Sequence, residues 1–438
     1  MKDTQSLTRV GPGTTTGEFI REYWIPAALA TEVVADGAPL RVRLLGEDLI
    51  AFRTGSGKIG LMDHRCPHRC ASLFYGRNEG EGIRCVYHGW KFDTDGRCLD
   101  IPNVPKGSPI RDKVHATSYP VTEKAGVIWT YMGKRDVPPP FPDLPVFRVT
   151  PERVDVWCMQ RECNYLQAME GDLDTSHAGF LHLGVPTENA APDRMNDGSA
   201  ESLSIIDPAP EFKVDDTPCG VMAGARRFTG ADQAYWRYTQ YLLPVYAQIP
   251  PCPLGSEAIL RAWVPMDDTH TMFFSITTDT FCLSKSPVAT PRAIPQPGLT
   301  VPTDYDFLPN TTDWYGRWRL TANLANDHLI DRAVQKTDSY SGIEGLDVQD
   351  TAITESMGAI IDHEFEMLVP TDMLVVRMRQ RLLRASRAFA ADGALPPSID
   401  DPGAYRDLWS GYVLAPREPD WQDVYAGNIP RDGQWKAA

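Results

Sequence analysis

Two short Cys/His pairs constrain this chain more than any other feature of its sequence. Cys66-Pro-His68 is followed, after sixteen intervening residues, by Cys85-Val-Tyr-His88. Zinc fingers group cysteine with cysteine and histidine with histidine, whereas each pair here holds one residue of each kind. The pattern predicts two loops that face each other across a metal centre. A zinc site and unliganded side chains are the alternatives.

An iron–sulfur centre explains the mixed pairs better than zinc does. In a Rieske [2Fe–2S] cluster one iron takes two thiolates and the other takes two imidazoles, so each of two loops supplies one of each. We therefore predict Cys66, His68, Cys85 and His88 as the cluster ligands. The Gly-Trp pair that follows His88 is typical of a loop that packs over a cluster.

The segments CPHRC and CVYHGWKFD resemble the Rieske domain of bacterial Rieske non-haem iron oxygenases. High-potential Rieske proteins of respiratory chains carry an additional cysteine in each loop, and the two are joined as a disulfide. Here Tyr87 occupies the place of the second such cysteine, and Cys70 lies one residue short of the first. The resemblance therefore implies a cluster without a disulfide, which fits a reducing cytoplasm.

A second group of candidate ligands lies in EGDLDTSHAGFLH, residues 170–182. If this segment is helical, Glu170, Asp174 and His177 share one face, because successive residues of a helix are about 100° apart. Two histidines and one distant carboxylate form the site of an oxygen-activating Fe(II), which leaves positions open for O2 and substrate. The segment thus predicts a mononuclear iron site in the second half of the chain.

Asp172 and His182 do not share the helix face of His177. Asp172 falls on a different face from His177, and we expect it to be solvated. His182 would lie far from His177 on a straight helix, and we expect a break at Gly179 to turn it back.

The same segment resembles the D-x-x-H-x-x-x-x-H helix of the oxygenase component of these enzymes. The resemblance implies that His177 and His182 bind the iron and that Asp174 does not. It implies instead that Asp174 bridges His177 and the Rieske residue His88 of a neighbouring subunit. That cross-subunit route implies a homotrimer, with stacking into a hexamer as an alternative.

The third iron ligand is a carboxylate that spacing alone does not select. The candidates are Asp327, Asp331, Asp347, Asp350 and Glu355. The segment 326–360 resembles the phthalate dioxygenase-like branch, in which a QD-x-A-x-x-ES-M-G motif supplies the ligand aspartate. The resemblance thus implies Asp350.

Glu170 and Arg237 are two further candidate site residues, and the sequence leaves more than one role open for each of them. Glu170 is either a catalytic-site hydrogen-bond partner near the iron or a carboxylate in an ion pair. An aromatic carboxylate as substrate needs a cation, and Arg237 is our first candidate because strand alternation can direct it into the pocket. Its rivals are Arg226, Arg227 and Arg261, and a surface or structural role is the alternative for each.

The chain divides into two halves of different pattern. Residues 1–134 hold a short N-terminal helix and then, from about residue 32, short β segments with turns. The proline-rich segment 135–145 is a connector, and residues 146–438 mix long strands with helices. We predict an α+β fold with an all-β Rieske domain first. The resemblance implies that the second half is a helix-grip (START-like) domain with a curved antiparallel sheet. Helices are expected at 17–24, 163–179 and 371–393, and a long loop at 284–311.

The composition of the chain limits the kinds of molecule to which it can bind. The net charge is −15, which argues against nucleic acid and anionic membranes. No apolar run is long enough for a membrane helix, and a cytoplasmic chain is expected. The nine cysteines are few and irregularly spaced, so a disulfide framework is not expected. There is no nucleotide-binding fingerprint, so a separate NAD(P)H-dependent reductase with flavin and an iron–sulfur centre is implied.

These observations favour the terminal oxygenase component of a multicomponent enzyme. It would use O2 to hydroxylate an aromatic carboxylic acid, by monohydroxylation or cis-dihydroxylation, in aromatic degradation. The alternatives are an O-demethylase of a methoxylated, lignin-derived aromatic acid and a Rieske electron-transfer protein without oxygenase activity.

Overall fold

The computed structural model describes residues 4–182, 207–229, 232–278 and 306–430. Its first α-helix, α1, is Thr15–Arg21, and the Thr14 hydroxyl accepts a hydrogen bond from the backbone of Gly17 at the N-cap. The helix predicted at 17–24 therefore starts and ends earlier. Its last predicted residue, Trp24, instead begins a strand, and the indole donates to the Pro139 carbonyl.

The first half is built from eleven strands in three antiparallel sheets among the described residues. One sheet has the order β1-β11-β10, the second β2-β3-β4-β9 and the third β5-β6-β7-β8. The strands are β1 Trp24–Leu29, β2 Leu40–Leu44, β3 Glu47–Arg53, β4 Ile59–Asp63, β5 Arg77–Glu79, β6 Gly82–Arg84, β7 Lys91–Phe92, β8 Cys98–Asp100, β9 Ser118–Tyr119, β10 Val121–Lys124 and β11 Val127–Tyr131. The predicted all-β character of this half is confirmed.

The second half is organised around one antiparallel sheet. Its order is β12-β18-β17-β16-β15-β14-β13, and β19 pairs with β15. The strands are β12 Val154–Arg161, β13 Glu211–Thr217, β14 Gly220–Thr229, β15 Gln233–Leu242, β16 Tyr246–Gln248, β17 Ile259–Pro265, β18 Thr271–Thr278 and β19 Gly411–Pro416. Aromatic and β-branched residues dominate these strands, as expected for a sheet with buried faces.

Six helices accompany this sheet in the described residues of the second half. They are α2 Tyr165–Leu173, α3 Ala178–Leu181, α4 Arg332–Thr337, α5 Leu346–Ser356, α6 Met373–Asp392 and α7 Trp421–Asn428. The helix predicted at 371–393 is α6, which follows Asp372 and ends at Gly393 with φ +64°, a left-handed position that favours glycine. Short 3₁₀ helices lie at Thr4–Thr8, Ala30–Glu32, Leu73–Tyr75, Arg111–Lys113, Pro145–Arg148, Pro151–Arg153, Leu324–Leu329, Pro370–Asp372 and Pro402–Tyr405.

The helix predicted over 163–179 is wrong in its second half. It ends at Leu173, and Asp174 is extended, with φ −89° and ψ 107°. The Asp174 carboxylate accepts hydrogen bonds from the backbone and hydroxyl of Ser176, 2.7 and 2.5 Å away. This local turn competes with helix continuation. The break therefore lies before His177 and not at Gly179.

The two largest hydrophobic cores of the described residues differ greatly in size. The large core joins the second-half sheet and helices to β1, β2, β3 and β11 of the first half. A small core lies around the two Cys/His pairs and consists of Ile50, Phe52, Met62, Cys66, Leu73, Ile83, Cys85, Trp90, Phe92, Ile101 and Ala116. The lobe that carries the Cys/His pairs thus has a core of its own, while the rest of the first half is packed against the second half.

The predicted connector, 135–145, contains no strand or helix before the 3₁₀ turn that begins at Pro145. The domain boundaries at 134 and 146 stay a prediction. The loop predicted at 284–311 lies largely outside the described residues, as does Cys282. Cys158, Cys163, Cys219 and Cys252 are buried, as expected, and no disulfide joins them to another described residue. Among the described helices, none is long and apolar enough to cross a membrane.

Candidate metal centres

The two Cys/His loops have the same backbone construction. The backbone NH of Cys70 donates to the Cys66 carbonyl at 2.9 Å, and the NH of Gly89 donates to the Cys85 carbonyl at 3.0 Å. The fourth residue after each cysteine has a positive φ, +58° at Cys70 and +77° at Gly89. Cys70 therefore occupies a turn position equivalent to that of a glycine, and it is exposed and free. No disulfide joins the described residues of either loop.

The thiols and the imidazoles of these loops form two adjacent pairs. Cys66 and Cys85 are buried, and the rings of His68 and His88 lie 4.5 Å apart. Burial and the neighbouring Cys85 raise the pKa of the Cys66 thiol to about 11. Two thiols beside two imidazoles are the donor set of a Rieske cluster, and the residues fit it.

Trp90 fixes one of the imidazoles. Its ring stacks on His68 with centroids 4.4 Å apart and an angle of 6° between the planes. The indole NH donates to the Asn103 side chain at 2.8 Å. The expectation that the Gly-Trp pair packs over the centre is confirmed for Trp90. The sequence did not identify Asn103 as the hydrogen-bond partner of the indole.

The second site brings together His177, His182 and Asp350. The two Nε2 atoms are 3.0 Å apart, and the nearest Asp350 oxygen is 3.2 Å from His182 and 3.6 Å from His177. Ligand atoms about 2.1 Å from one metal ion, at right angles to each other, are about 3 Å apart. The three side chains therefore fit one face of a mononuclear metal site without rearrangement.

Each of these histidines has an orienting partner on its second nitrogen. Nδ1 of His177 lies 3.4 Å from the Asp174 carboxylate, and Nδ1 of His182 lies 2.7 Å from the Gln349 side-chain oxygen. Such partners fix the ring and the tautomer of a metal-ligating histidine. Sequence reasoning missed Gln349, although its position directly before Asp350 was a signal.

Carboxylates dominate the electrostatics of the site. Burial alone would lower the pKa of His177, but Asp174 and Asp350 raise it to about 9. Burial would raise the pKa of Asp174, but His177 and Ser176 lower it to about 2. The pKa of Asp350 is likewise held far below its ordinary range, against burial, by His182 and then His177. The site thus favours a bound cation.

The expectation for Asp172 is wrong. Its side chain is buried, and its carboxylate accepts hydrogen bonds from Arg261 at 2.9 Å and from the Trp263 indole at 2.6 Å. Arg261 also donates to Asp347 at 2.9 Å. Because Asp172 belongs to α2 and Asp347 to α5, this buried ion pair joins the two helices next to the triad. A partner that lies far away in sequence decides the burial of Asp172.

Glu170 is also held in an ion pair. Both of its oxygens accept from Arg379 of α6 at 2.6 Å, and Arg379 also contacts Glu366. The structure thus supports the ion-pair alternative for Glu170 over a hydrogen bond at the iron.

The other carboxylate candidates for the third ligand have different partners. Asp347 pairs with Arg261, Glu355 with the buried His328 at 2.9 Å, and Asp331 caps the N-terminus of α4. Asp350 is the carboxylate that the structure places beside both histidines in the described part of the chain.

The register of β14 and β15 shows on which face of the sheet the candidate arginines of these two strands lie. Side chains directly opposite each other in an antiparallel pair lie on the same face. Arg227 is opposite Tyr235, and Arg237 follows two residues later on β15, so these three share a face. The Arg237 Nε donates to the Thr175 hydroxyl at 2.8 Å, next to the triad.

The other two arginines have different surroundings. Arg226 lies on the opposite face, where it pairs with Glu211 and lies over the Phe228 ring. Arg261 is already bonded to two carboxylates. Arg227 and Arg237 are therefore the candidates that remain at the site.

The fold and the two centres define a class of protein. Residues 23–120 match the Rieske [2Fe-2S] domain, and residues 130–436 match the LigXa C-terminal domain like family. The chain belongs to the family of oxygenase subunits of Rieske oxygenases. It is an oxidoreductase whose cofactors are a Rieske [2Fe–2S] cluster and a mononuclear iron.

Particular relatives narrow this class. The chain is 45% identical over 429 residues to the oxygenase subunit of 3-chlorobenzoate-3,4-dioxygenase from Comamonas testosteroni, which covers 98% of both chains. It is 34% identical over 432 residues to the oxygenase subunit of phthalate 4,5-dioxygenase from Pseudomonas putida, covering 96% of this chain and 93% of the relative. The fold is similar to that of dicamba monooxygenase bound to dicamba, with a TM-score of 0.56 and 20% identity, over 85% of this chain and 99% of that one.

Proposed function

We propose that this oxygenase subunit hydroxylates an aromatic carboxylic acid, by cis-dihydroxylation or monohydroxylation, in aromatic degradation. The observation that carries the proposal is the position of Arg237. Its guanidinium is bonded to Thr175, between Asp174 and the first histidine of the triad. A carboxylate bound by a guanidinium there would hold its aromatic ring beside the metal site.

We assign the cluster to Cys66, His68, Cys85 and His88. The iron is assigned to a triad of side chains, namely His177, His182 and Asp350. When bound, the cluster supplies single electrons and the iron activates O2. Gln349 and Asp174 hold the two iron histidines in position, and the buried helices α2 and α5 limit the access of water.

Asp174 has a further proposed role in electron transfer. Its carboxylate is partly exposed beside His177, and His88 is partly exposed on its loop. No hydrogen bond or ion pair joins Asp174 to His88 within the parts of this chain that the structure describes. We therefore propose that the bridge forms between neighbouring copies, in the homotrimer, alone or stacked as a hexamer, that the family resemblance implies.

Three further assignments complete the proposal: the role of Glu170, the source of electrons and the cellular location. Glu170 acts through Arg379 as a positioning residue for α2, in place of the catalytic role considered above. Electrons come from a separate NAD(P)H-dependent reductase with flavin and an iron–sulfur centre. A cytoplasmic location suits free cysteines and this electron source.

The test is a substrate panel with a reductase from a related system. Benzoate, 3-chlorobenzoate, phthalate and a methoxybenzoate are incubated with O2, and diol, phenol and formaldehyde are measured separately. We expect diol or phenol from at least one acid, with a KM that rises at least tenfold in Arg237→Met. Absence of O2-dependent product from every acid in iron-replete protein contradicts the proposal.

One relative favours a second candidate. Over 184 residues the chain is 39% identical to the oxygenase subunit of 5,5'-dehydrodivanillate O-demethylase from Sphingobium. Demethylation of a methoxylated aromatic acid releases formaldehyde and would be visible in the same panel. An electron-transfer protein would give none of the three products.

A further inference from the structure

Arg227 is a buried arginine that forms no ion pair with the described residues of the chain. The side chain is 1% exposed, and its Nε donates to the Asp207 carbonyl at 2.7 Å. Neither of its terminal nitrogens has a hydrogen-bond partner in the described ranges of the chain. Burial of a charge without a partner is costly, and most buried arginines are paired.

The surroundings of Arg227 add a second cation. Arg227 faces Tyr235 across the β14–β15 pair, and the Tyr235 hydroxyl accepts a hydrogen bond from Arg237 at 3.4 Å. Burial and then the charge of Arg237 lower the pKa of Arg227 to about 10. Two guanidinium groups that repel each other on a buried face are stabilised by an anion bound to both.

The position of this pair relates it to the metal site. Arg237 is bonded to Thr175, which is 5% exposed and precedes His177 by two residues. The rings of Tyr235 and Tyr412 lie 5.8 Å apart on the same side of β15. The Arg227–Arg237 pair therefore lies next to the segment that carries His177, with aromatic rings on the same face of the sheet.

We propose that Arg227 and Arg237 together form one anion site, in which Arg227 is the desolvated half, and that it binds the carboxylate of the substrate. This inference rests on the proposed function and adds a residue to it. The site distinguishes a carboxylic acid from its amide, because an amide leaves the terminal nitrogens of Arg227 unpaired and buried. Arg237, which already has two partners, orients the acid toward the triad.

The experiment compares benzoate with benzamide, which have nearly the same shape but differ in charge. Binding of each to the anaerobic holoenzyme is measured by calorimetry, and the melting temperature is measured with and without 5 mM of each, about the concentration that saturates a weak site. We expect wild type to bind benzoate at least 100-fold more tightly than benzamide.

Arg227→Met provides the decisive variant. We expect benzoate binding to weaken about 30–300-fold, benzamide binding to be unchanged, and the melting temperature of the free protein to stay the same or rise. A rise is expected because an unpaired buried charge has been removed. Arg226→Met is the matched control, since that neighbour lies on the opposite face, and it should leave both affinities unchanged.

Other results overturn the inference. If Arg227 is only structural, Arg227→Met lowers the melting temperature and leaves the benzoate-to-benzamide ratio unchanged. If Arg227→Met does not fold, Arg227→Lys tests the same point, because a lysine keeps the positive charge but cannot donate two parallel hydrogen bonds to a carboxylate. An unchanged affinity of Arg227→Lys for benzoate counts against the proposal. Equal binding of acid and amide by wild type also rejects it.

The outcomes separate this inference from the proposed function. Selective binding of benzoate without any O2-dependent product retains the anion site and rejects the proposed reaction. Hydroxylation of an acid with full affinity in Arg227→Met retains the reaction and rejects the role of Arg227.

Discussion

The four predicted cluster ligands come from residues 66–88, whereas the three predicted iron ligands come from residues 177–182 and from residue 350. The first group is held by two tight turns with matching backbone bonds from Cys66 and Cys85. The second is held by bonds between distant helices, above all through Arg261. A site built from local turns depends on its own short segment, and a site built from distant helices depends on the packing of the whole half.

The two metal sites also differ in the hydrophobic core on which each of them rests. The lobe with the Cys/His pairs has a small core that includes the cysteines themselves, whereas the triad rests on the large core. Metal binding to a small lobe contributes directly to its folding. We therefore expect the two sites to fail separately, and the following predictions test that separation from the largest effect to the smallest.

Removal of a cluster thiolate should have the largest effect. In Cys85→Ser we expect complete loss of the visible absorption of the cluster and faster amide exchange over residues 64–116, because the small core loses its centre. The mononuclear iron should remain. Cys70→Ser is the control, since this exposed thiol is not a predicted ligand, and it should keep the cluster. Loss of all iron in Cys85→Ser would contradict separate sites.

Removal of Arg261 should break the other site. Arg261→Met leaves Asp172 and Asp347 buried without their cation, which costs about 3–5 kcal/mol. We expect loss of the mononuclear iron and a lower unfolding midpoint in denaturant, with the Rieske spectrum retained in the folded fraction.

An exposed ion pair serves as the comparison for Arg261. Arg384→Met removes a pair with Asp216 in which the arginine side chain is 55% exposed, and it should cost no more than about 1 kcal/mol. Equal effects of the two substitutions would show that the buried pair does not join the helices.

A smaller effect is expected at Gln349. Gln349→Leu removes the acceptor for Nδ1 of His182, and loss of such a partner weakens metal binding about 10–100-fold. The measurement is iron retained during titration with a chelator. Gln349→Glu keeps an acceptor oxygen and should lie closer to wild type; if both variants retain iron like wild type, Gln349 does not orient His182.

The smallest effect is expected at Trp90. Trp90→Phe keeps an aromatic ring over His68 but loses the hydrogen bond to Asn103, worth about 1 kcal/mol. The cluster should remain, with a small loss of stability in the lobe. Asn103→Ala in the Trp90→Phe background should add little, and full additivity of the two changes would mean that they are not coupled.

The contrast also explains how much the sequence could predict. The mixed pairs Cys66–His68 and Cys85–His88 were recognisable because spacing within one short segment reports local geometry. The early end of α2 was predictable in principle from Asp174 and Ser176, since an aspartate two residues before a serine often forms such a turn.

Other features depend on long-range partners. The burial of Asp172 and the ion pair of Glu170 are set by Arg261 and Arg379, and no local pattern identifies those partners. The choice of Asp350 among five carboxylates depended on a family resemblance. Arg227 could not be separated from Arg226 until the register of β14 and β15 was known.

The central claim is that the chain holds an iron site separate from its cluster, and iron content tests it most directly. Iron per chain is measured in wild type and in Asp350→Ala, with the Rieske signal recorded by electron paramagnetic resonance in the same samples. The account predicts about three irons in wild type and about two in Asp350→Ala, with an unchanged Rieske signal. About two irons in both proteins would contradict it and would leave an electron-transfer protein.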